Sequence, residues 1–164
     1  MHDETIGNDQ APILSRDDYS HERSHRCPRG QGAMIGLDTN VLVRYVVQDD
    51  PQQSPKATRL IESLTANVPG YVTVVSLVEL VWVLTSCYDS TKQEICAVLE
   101  TLLRAEELVV AEADTVWKAL RVYRDGKADF ADSLIERSAN AAGCTHTATF
   151  DSNAVKGSGM SLIE

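Results

Sequence analysis

Along residues 34–164, short apolar runs alternate with longer stretches in which apolar residues recur every three or four positions. That alternation predicts an α/β fold built on a mainly parallel sheet. The short runs predict strands at Ile35–Leu37, Tyr71–Val74, Leu108–Val110 and Thr145–Thr149, with a weak fifth at Ser161–Ile163. The longer stretches predict helices over Val41–Val47, Pro55–Ala66, Leu77–Tyr88, Lys92–Arg104, Ala113–Arg124 and Phe130–Ala142. Gly143 follows the last of these as a C-terminal stop, because glycine adopts the left-handed conformation that ends a helix. Residues 1–33 carry no such periodicity and are rich in polar, charged, Gly and Pro residues. They bury too little apolar surface to offset ordering entropy, so they are expected to be a disordered extension, from a misplaced start codon or from cloning. The working domain is expected to begin at Met34.

At 164 residues the chain suits one globular domain. Its net charge of −9 argues against a broad basic face of the kind that clamps nucleic acid, which any nuclease reading has to explain. The four cysteines, Cys27, Cys87, Cys96 and Cys144, form no Cys-x-x-Cys pair and have no His at zinc spacing, which fits reduced thiols in a cytoplasm. The start of the chain lacks the basic and apolar segments of a secretory signal. Val72–Tyr88 is the most apolar stretch, but it contains Glu79 and falls short of the roughly 20 apolar residues of a membrane span.

The candidate chemistry is acidic. Asp38 ends the first strand, and side chains at the carboxyl ends of strands face the ligand crevice of open α/β sheets. An Asx turn or helix cap is the rival explanation. Glu79 interrupts an apolar helix, where an ionised carboxylate needs a partner; the rival is a capping box, Ser76-x-x-Glu79. Asp129 and Asp132 lie three apart on one predicted helix face, where two carboxylates repel each other. A cap explains Asp129 better than it explains Asp132. Asp151 follows the fourth strand, with an Asx turn through Asn153 as its rival. Each acid alone has a structural explanation, but their joint placement at one sheet edge calls for a cation, and hard oxygen ligands favour Mg²⁺ or Mn²⁺. Such a site activates water against a phosphodiester.

In order and spacing, Leu37-Asp38-Thr39-Asn40, Val75-Ser76-Leu77-Val78-Glu79-Leu80, Ala128-Asp129-Phe130-Ala131-Asp132-Ser133-Leu134-Ile135 and Thr149-Phe150-Asp151 resemble the PIN-domain ribonucleases, most closely the VapC-type toxins of prokaryotic toxin–antitoxin pairs. The resemblance covers essentially all of 34–164. It implies a three-layer α/β/α sandwich around a central, mainly parallel sheet of four to five strands. It also implies endonucleolytic RNA cleavage with Mg²⁺ or Mn²⁺, a homodimer, and a cognate antitoxin that blocks the site. Carried over residue by residue, it makes Asp38, Glu79, Asp132 and Asp151 catalytic, with Asp129 a further metal-site acid. Asp38 and Asp132 are then direct ligands, Glu79 and Asp151 act through or orient water, and Thr39, Asn40 and Thr149 support the site. Ser152 departs from the basic residue that many relatives carry after the last aspartate, which weakens the expected grip on substrate. The alternative is a catalytically inactive domain of this kind that binds a partner or RNA.

Residues 34–164 hold 11 basic and 18 acidic side chains, a net −7 to which the five site acids contribute. Arg44, Lys56, Arg59, Lys127 and Lys156 are the candidates for phosphate contact, against a solvated-surface explanation for each. His21, His25 and Cys27 lie in the extension and are a weak metal motif. His146 reads as a core or edge residue of its strand, and Trp82 and Trp117 as packing or interface residues on apolar helical stripes. A haloacid-dehalogenase-like pocket is disfavoured, because Asn40 stands where its second aspartate belongs.

Overall fold

The sheet is built from very short parallel strands, and the helices supply most of the core. The computed structural model describes residues 33–163. Most of the expected N-terminal extension, with His21, His25 and Cys27, lies outside the described residues. In chain order the elements are β1 (Ile35–Gly36), α1 (Thr39–Val47), α2 (Ser54–Glu62), β2 (Gly70–Val72), α3 (Val74–Tyr88), α4 (Lys92–Arg104), β3 (Leu108–Val110), α5 (Ala113–Asp125), α6 (Phe130–Ala141), β4 (Ala148–Thr149), α7 (Ser152–Ser158) and β5 (Ser161–Leu162).

Strands β1, β2 and β3 form one parallel sheet in that order, with Ile35 opposite Gly70 and Gly70 opposite Leu108. Gly70 leaves room for its neighbours: a Cβ would sit 2.8 Å from methyls of both Leu37 and Leu64, which would have to shift. The α/β class and parallel pairing follow the sequence pattern, but the central sheet of four to five strands does not form among the described residues. Strands β4 and β5 pair only with each other, Ala148 with Ser161 and Thr149 with Leu162. The expected strand Thr145–Thr149 is reduced to two residues because Cys144, Thr145 and His146 are exposed and bury nothing that would hold them against a sheet face. His146 is therefore neither core nor strand edge.

Helix α3 is the centre of the packing. Leu77, Leu80 and Leu84 are buried along it, and it meets α1, α4 and α6. Leu42, Ile95, Leu99, Val116, Leu120 and Phe130 complete the core, and Phe130 meets the Tyr123 ring edge-on at 5.9 Å between centroids. Burying each large aliphatic side chain contributes about 1.5–3 kcal/mol. Local chemistry sets the helix ends. Thr91 and Glu94 form a capping box on α4, the Asp50 carboxylate accepts from the N–H groups of Gln52 and Gln53 before α2, and Pro55 occupies the first turn of α2. Arg44, Asp49 and Tyr88 then tie the end of α1 to the end of α3, with Arg44 Nη1 2.7 Å from Asp49 and the Tyr88 hydroxyl donating to Asp49 at 2.6 Å. None of the helices among the described residues is long and apolar enough to cross a membrane.

Helix α7 has no counterpart in the hydrophobic pattern. Its seven residues bury only Ala154 and Ser158, side chains too small to mark an apolar face. What seats it is backbone proximity: a Cβ on Gly157 would lie 2.2 Å from the Ala128 nitrogen. Glycine thus lets α7 lie against the turn that leads into α6. Replacing it, Gly157→Ala, is expected to cost about 1–3 kcal/mol, since no rotamer relieves a clash with backbone. Urea unfolding checks this, and an unchanged midpoint would contradict the contact.

Candidate active site

Helix starts position the acids. Asp38 follows β1 and its extended backbone opens α1, with its carbonyl accepting from the N–H groups of Val41 and Leu42 at 3.0 and 3.3 Å. Its side chain makes no cap bond. Instead Asp38 Oδ2 accepts from Asn40 Nδ2 at 3.2 Å, and the residue is exposed. The cap explanation of this side chain is not realised.

Glu79 is also freed from its rival role. Helix α3 starts earlier than the Ser76-x-x-Glu79 box requires, at Val74, and Thr73 is its cap, accepting from the Ser76 N–H at 3.0 Å. Ser76 lies in the first turn, where its hydroxyl reaches the Leu37 carbonyl at 3.5 Å. That contact ties the end of β1 to the start of α3. One turn on, Glu79 Oε2 accepts from the Thr39 hydroxyl at 2.6 Å. Thr39 is only 5% exposed, so a buried donor fixes an exposed carboxylate. Asp38, Thr39, Asn40 and Glu79 thereby form one linked group.

The second group forms around the start of α6. Asp129 is the cap of that helix, Oδ1 accepting from the Asp132 N–H at 2.7 Å, and its carbonyl accepts from the hydroxyl of fully buried Ser133 at 2.7 Å. Asp151 caps α7 through Oδ1 and the Asn153 N–H at 2.7 Å, while its own N–H donates to Thr149 Oγ1 at 3.0 Å. The capping explanations of Asp129 and Asp151 are thus realised. They do not compete with a role in the site, because each cap uses one carboxylate oxygen and orients the other. Asp132 caps nothing. Burial, and then the charges of Asp129 and Asp151, raise its pKa above the ordinary carboxylate value. Ionising Asp132 is therefore costlier in the folded protein than in the unfolded chain. Its contribution to stability is present below the ordinary carboxylate range and is lost as pH rises through the raised value.

Packing of α3 on α6 relates the two groups, and Glu79 and Asp129 line one groove of about 660 Å³ with Val78, Trp82 and Phe130. Trp82, on the lip, is 62% exposed and does not pack into the core, whereas Trp117 does pack against it. All donors in both groups are oxygens, suited to a hard divalent cation. Among the described residues, however, no three acidic, His or Cys side chains stand in a metal-holding group. No salt bridge among them engages any of the five acids. Of the basic candidates, Arg44 is held by Asp49 and Gln53, and Lys56 shares a groove with Asn40. Sequence reasoning missed Ser133 and Thr73. The only available signal was a small hydroxyl residue four positions after Asp129, and one before the apolar helix.

Asparagine caps a helix as well as aspartate does, so Asp129→Asn and Asp151→Asn remove charge while retaining the caps. In metal-free protein, each is expected to lower the Asp132 pKa while leaving it above the ordinary value, because burial is the larger cause. Carboxyl NMR titration measures this; a value unmoved in both variants would place the three side chains apart.

No curated protein matches this chain. The PIN domain family matches residues 35–157, a span that includes every acid described above from Asp38 to Asp151. On that match the chain belongs to the PIN domain family, whose members are generally nucleases.

Proposed function

We propose that the protein is a metal-dependent endoribonuclease and the toxin of a toxin–antitoxin pair. The observation that carries this reading is Asp132, partly buried and within electrostatic reach of Asp129 and Asp151, with no cationic side chain paired to any of them among the described residues. Charge gathered at such cost is retained where it binds a cation. Asp38 and Asp132 would hold Mg²⁺ or Mn²⁺ directly, with Glu79, Asp129 and Asp151 completing its surroundings. Bound there, the ion supplies a water of lowered pKa and positive charge for the phosphate. The chain's own residues orient that chemistry. Thr39 fixes one oxygen of Glu79 and leaves the other for water, Asn40 holds Asp38, and Thr149 steadies the turn that carries Asp151. Burial and the charges of Asp129 and Asp151 all favour a proton on Asp132, so proton and cation would compete there first as pH falls.

The exposed apolar face of α3, with Val75 73% and Trp82 62% exposed, lines the groove that holds Glu79 and Asp129 and supports a protein partner there, while the homodimer rests on the family resemblance alone. A cognate antitoxin laid along the groove that contains Glu79 and Asp129 would cover both acids. Action on RNA in the cytoplasm completes this reading. A second reading has one observation in its favour: the two acid groups do not close into a ligand set, as suits an inactive domain that binds a partner or RNA.

Purified protein is expected to cleave RNA with Mg²⁺ or Mn²⁺ and not in chelator, and Asp38→Ala is expected to lower the rate at least about 100-fold. Expression should arrest growth unless a small partner is co-expressed. Cleavage that survives chelation would defeat the metal mechanism, and binding without cleavage under any metal would favour the second reading.

A further inference from the structure

Four of the 11 basic residues of 34–164 gather in one place, remote in sequence from every phosphate-contact candidate read above except Lys127. Arg104 on α4 and Lys118, Arg121 and Arg124 on α5 line a groove of about 540 Å³, against two carboxylates, Glu100 and Asp114. On a chain of net −9 this is an island of opposite sign. The α5 cations repeat every three residues, which keeps them along neighbouring faces and spreads positive charge over about 9 Å of helix axis. Lys118, Arg121 and Arg124 are exposed. Arg124 is engaged by Glu100, but that ion pair joins partly exposed side chains, with 45% and 30% of their surfaces accessible, and is readily exchanged for another anion. Arg104 lies over the Trp117 ring, 5.2 Å from its centroid, which holds the guanidinium plane while leaving its edge for a phosphate.

The row also has a direction. Helix α5 ends at Asp125, and Asp129 caps α6 only four residues later, with Lys127 between them. The Arg124 end of the row therefore lies within five residues of chain of Asp129, the cap of the helix that carries Asp132. An acidic cluster repels RNA except where a cation neutralises it, so affinity has to come from a separate surface.

We infer that the α4–α5 groove is an RNA exosite, binding the phosphodiester backbone of a single strand outside the cleaved linkage and without base specificity. This rests on the nuclease reading only for its substrate class. The test uses the full chain in chelator, so that nothing is cut, with a labelled single-stranded RNA long enough to span groove and acids. The double variant Lys118→Gln/Arg121→Gln, whose exposed sites leave the fold intact in a thermal melt, is expected to bind about tenfold more weakly at low salt. Its plot of log affinity against log salt should be shallower by roughly 1.4, the share of two phosphate contacts on a single strand. Asp132→Asn should bind at least as tightly as the wild type. With Mn²⁺ restored, the double variant should cut a short RNA confined to the acids at the wild-type rate while showing a raised KM for the long one. Unchanged affinity and salt slope in the double variant would overturn the exosite even if cleavage is normal. Loss of binding to an acidic peptide, with RNA binding retained, would assign the groove to a protein instead. Absence of cleavage by the wild type, with the groove-dependent RNA binding intact, would defeat the nuclease reading and leave the exosite standing.

Discussion

Carboxylates of like charge do not share a small region unless something offsets their repulsion, and the arrangement around α6 is organised by that constraint. Asp129 and Asp151 each receive a backbone N–H at 2.7 Å and sit at a helix start, where the dipole favours negative charge. Two of the three acids are thus compensated by the fold itself. Asp132 is not, and burial together with its two neighbours raises its pKa. The compensation that the backbone gives to Asp129 and Asp151 makes Asp132 the place where a cation would gain most.

The other acids depend on register. Leu37 donates its N–H to the Tyr71 carbonyl at 2.9 Å, and its own carbonyl is within reach of Ser76. The end of β1 is therefore fixed to both β2 and the first turn of α3. From that junction Asp38 lies two residues beyond β1's end and Glu79 little more than one turn into α3, and the Thr39 hydroxyl closes the loop between them. A shift of one residue between β1 and β2 would carry Thr39, which follows β1, out of reach of Glu79 on the helix that follows β2. At Gly70 the absent side chain leaves room for Leu37, Leu64 and Leu108 to close over β2.

Much of this was legible in the sequence, for definite reasons. Helices α1 to α6 carry apolar residues at helical spacing and lie within a few residues of their expected bounds, and the parallel pairing of β1, β2 and β3 follows from strands that alternate with helices. The start of α3 differs from the sequence reading because Tyr71–Val74 is one aromatic and three β-branched residues, all strand formers, so nothing in its pattern separates strand from helix. Thr73, the residue that does separate them, acts through one side-chain hydrogen bond. Helix α7 escaped because a close backbone approach at Gly157, not an apolar stripe, holds it. The division of the sheet likewise has no sequence marker, since Thr145–Thr149 alternates like a strand yet is largely exposed. For the acids, the sequence could not tell which side chains serve as helix caps. Asp129 and Asp151 are caps, Asp38 and Glu79 are not, and the capping signals of all four looked alike.

That outcome bears on how a cap should be weighed against a functional role. A carboxylate has two oxygens, and a helix cap uses one. Asp129 Oδ1 and Asp151 Oδ1 are each held at 2.7 Å by a backbone donor, which removes the rotational freedom of a short exposed side chain and sets the direction of the remaining oxygen. The ordering that a cation would otherwise have to impose is already supplied by local folding, as preorganised sites require. Glu79 is ordered by the same logic with a threonine hydroxyl as donor, and Asp38 with an asparagine amide. Asp132 alone has no side-chain donor, and it is the one whose charge the surroundings most oppose. Capping and a metal-binding role are thus compatible uses of the same side chains, since the first fixes the direction in which the second would act.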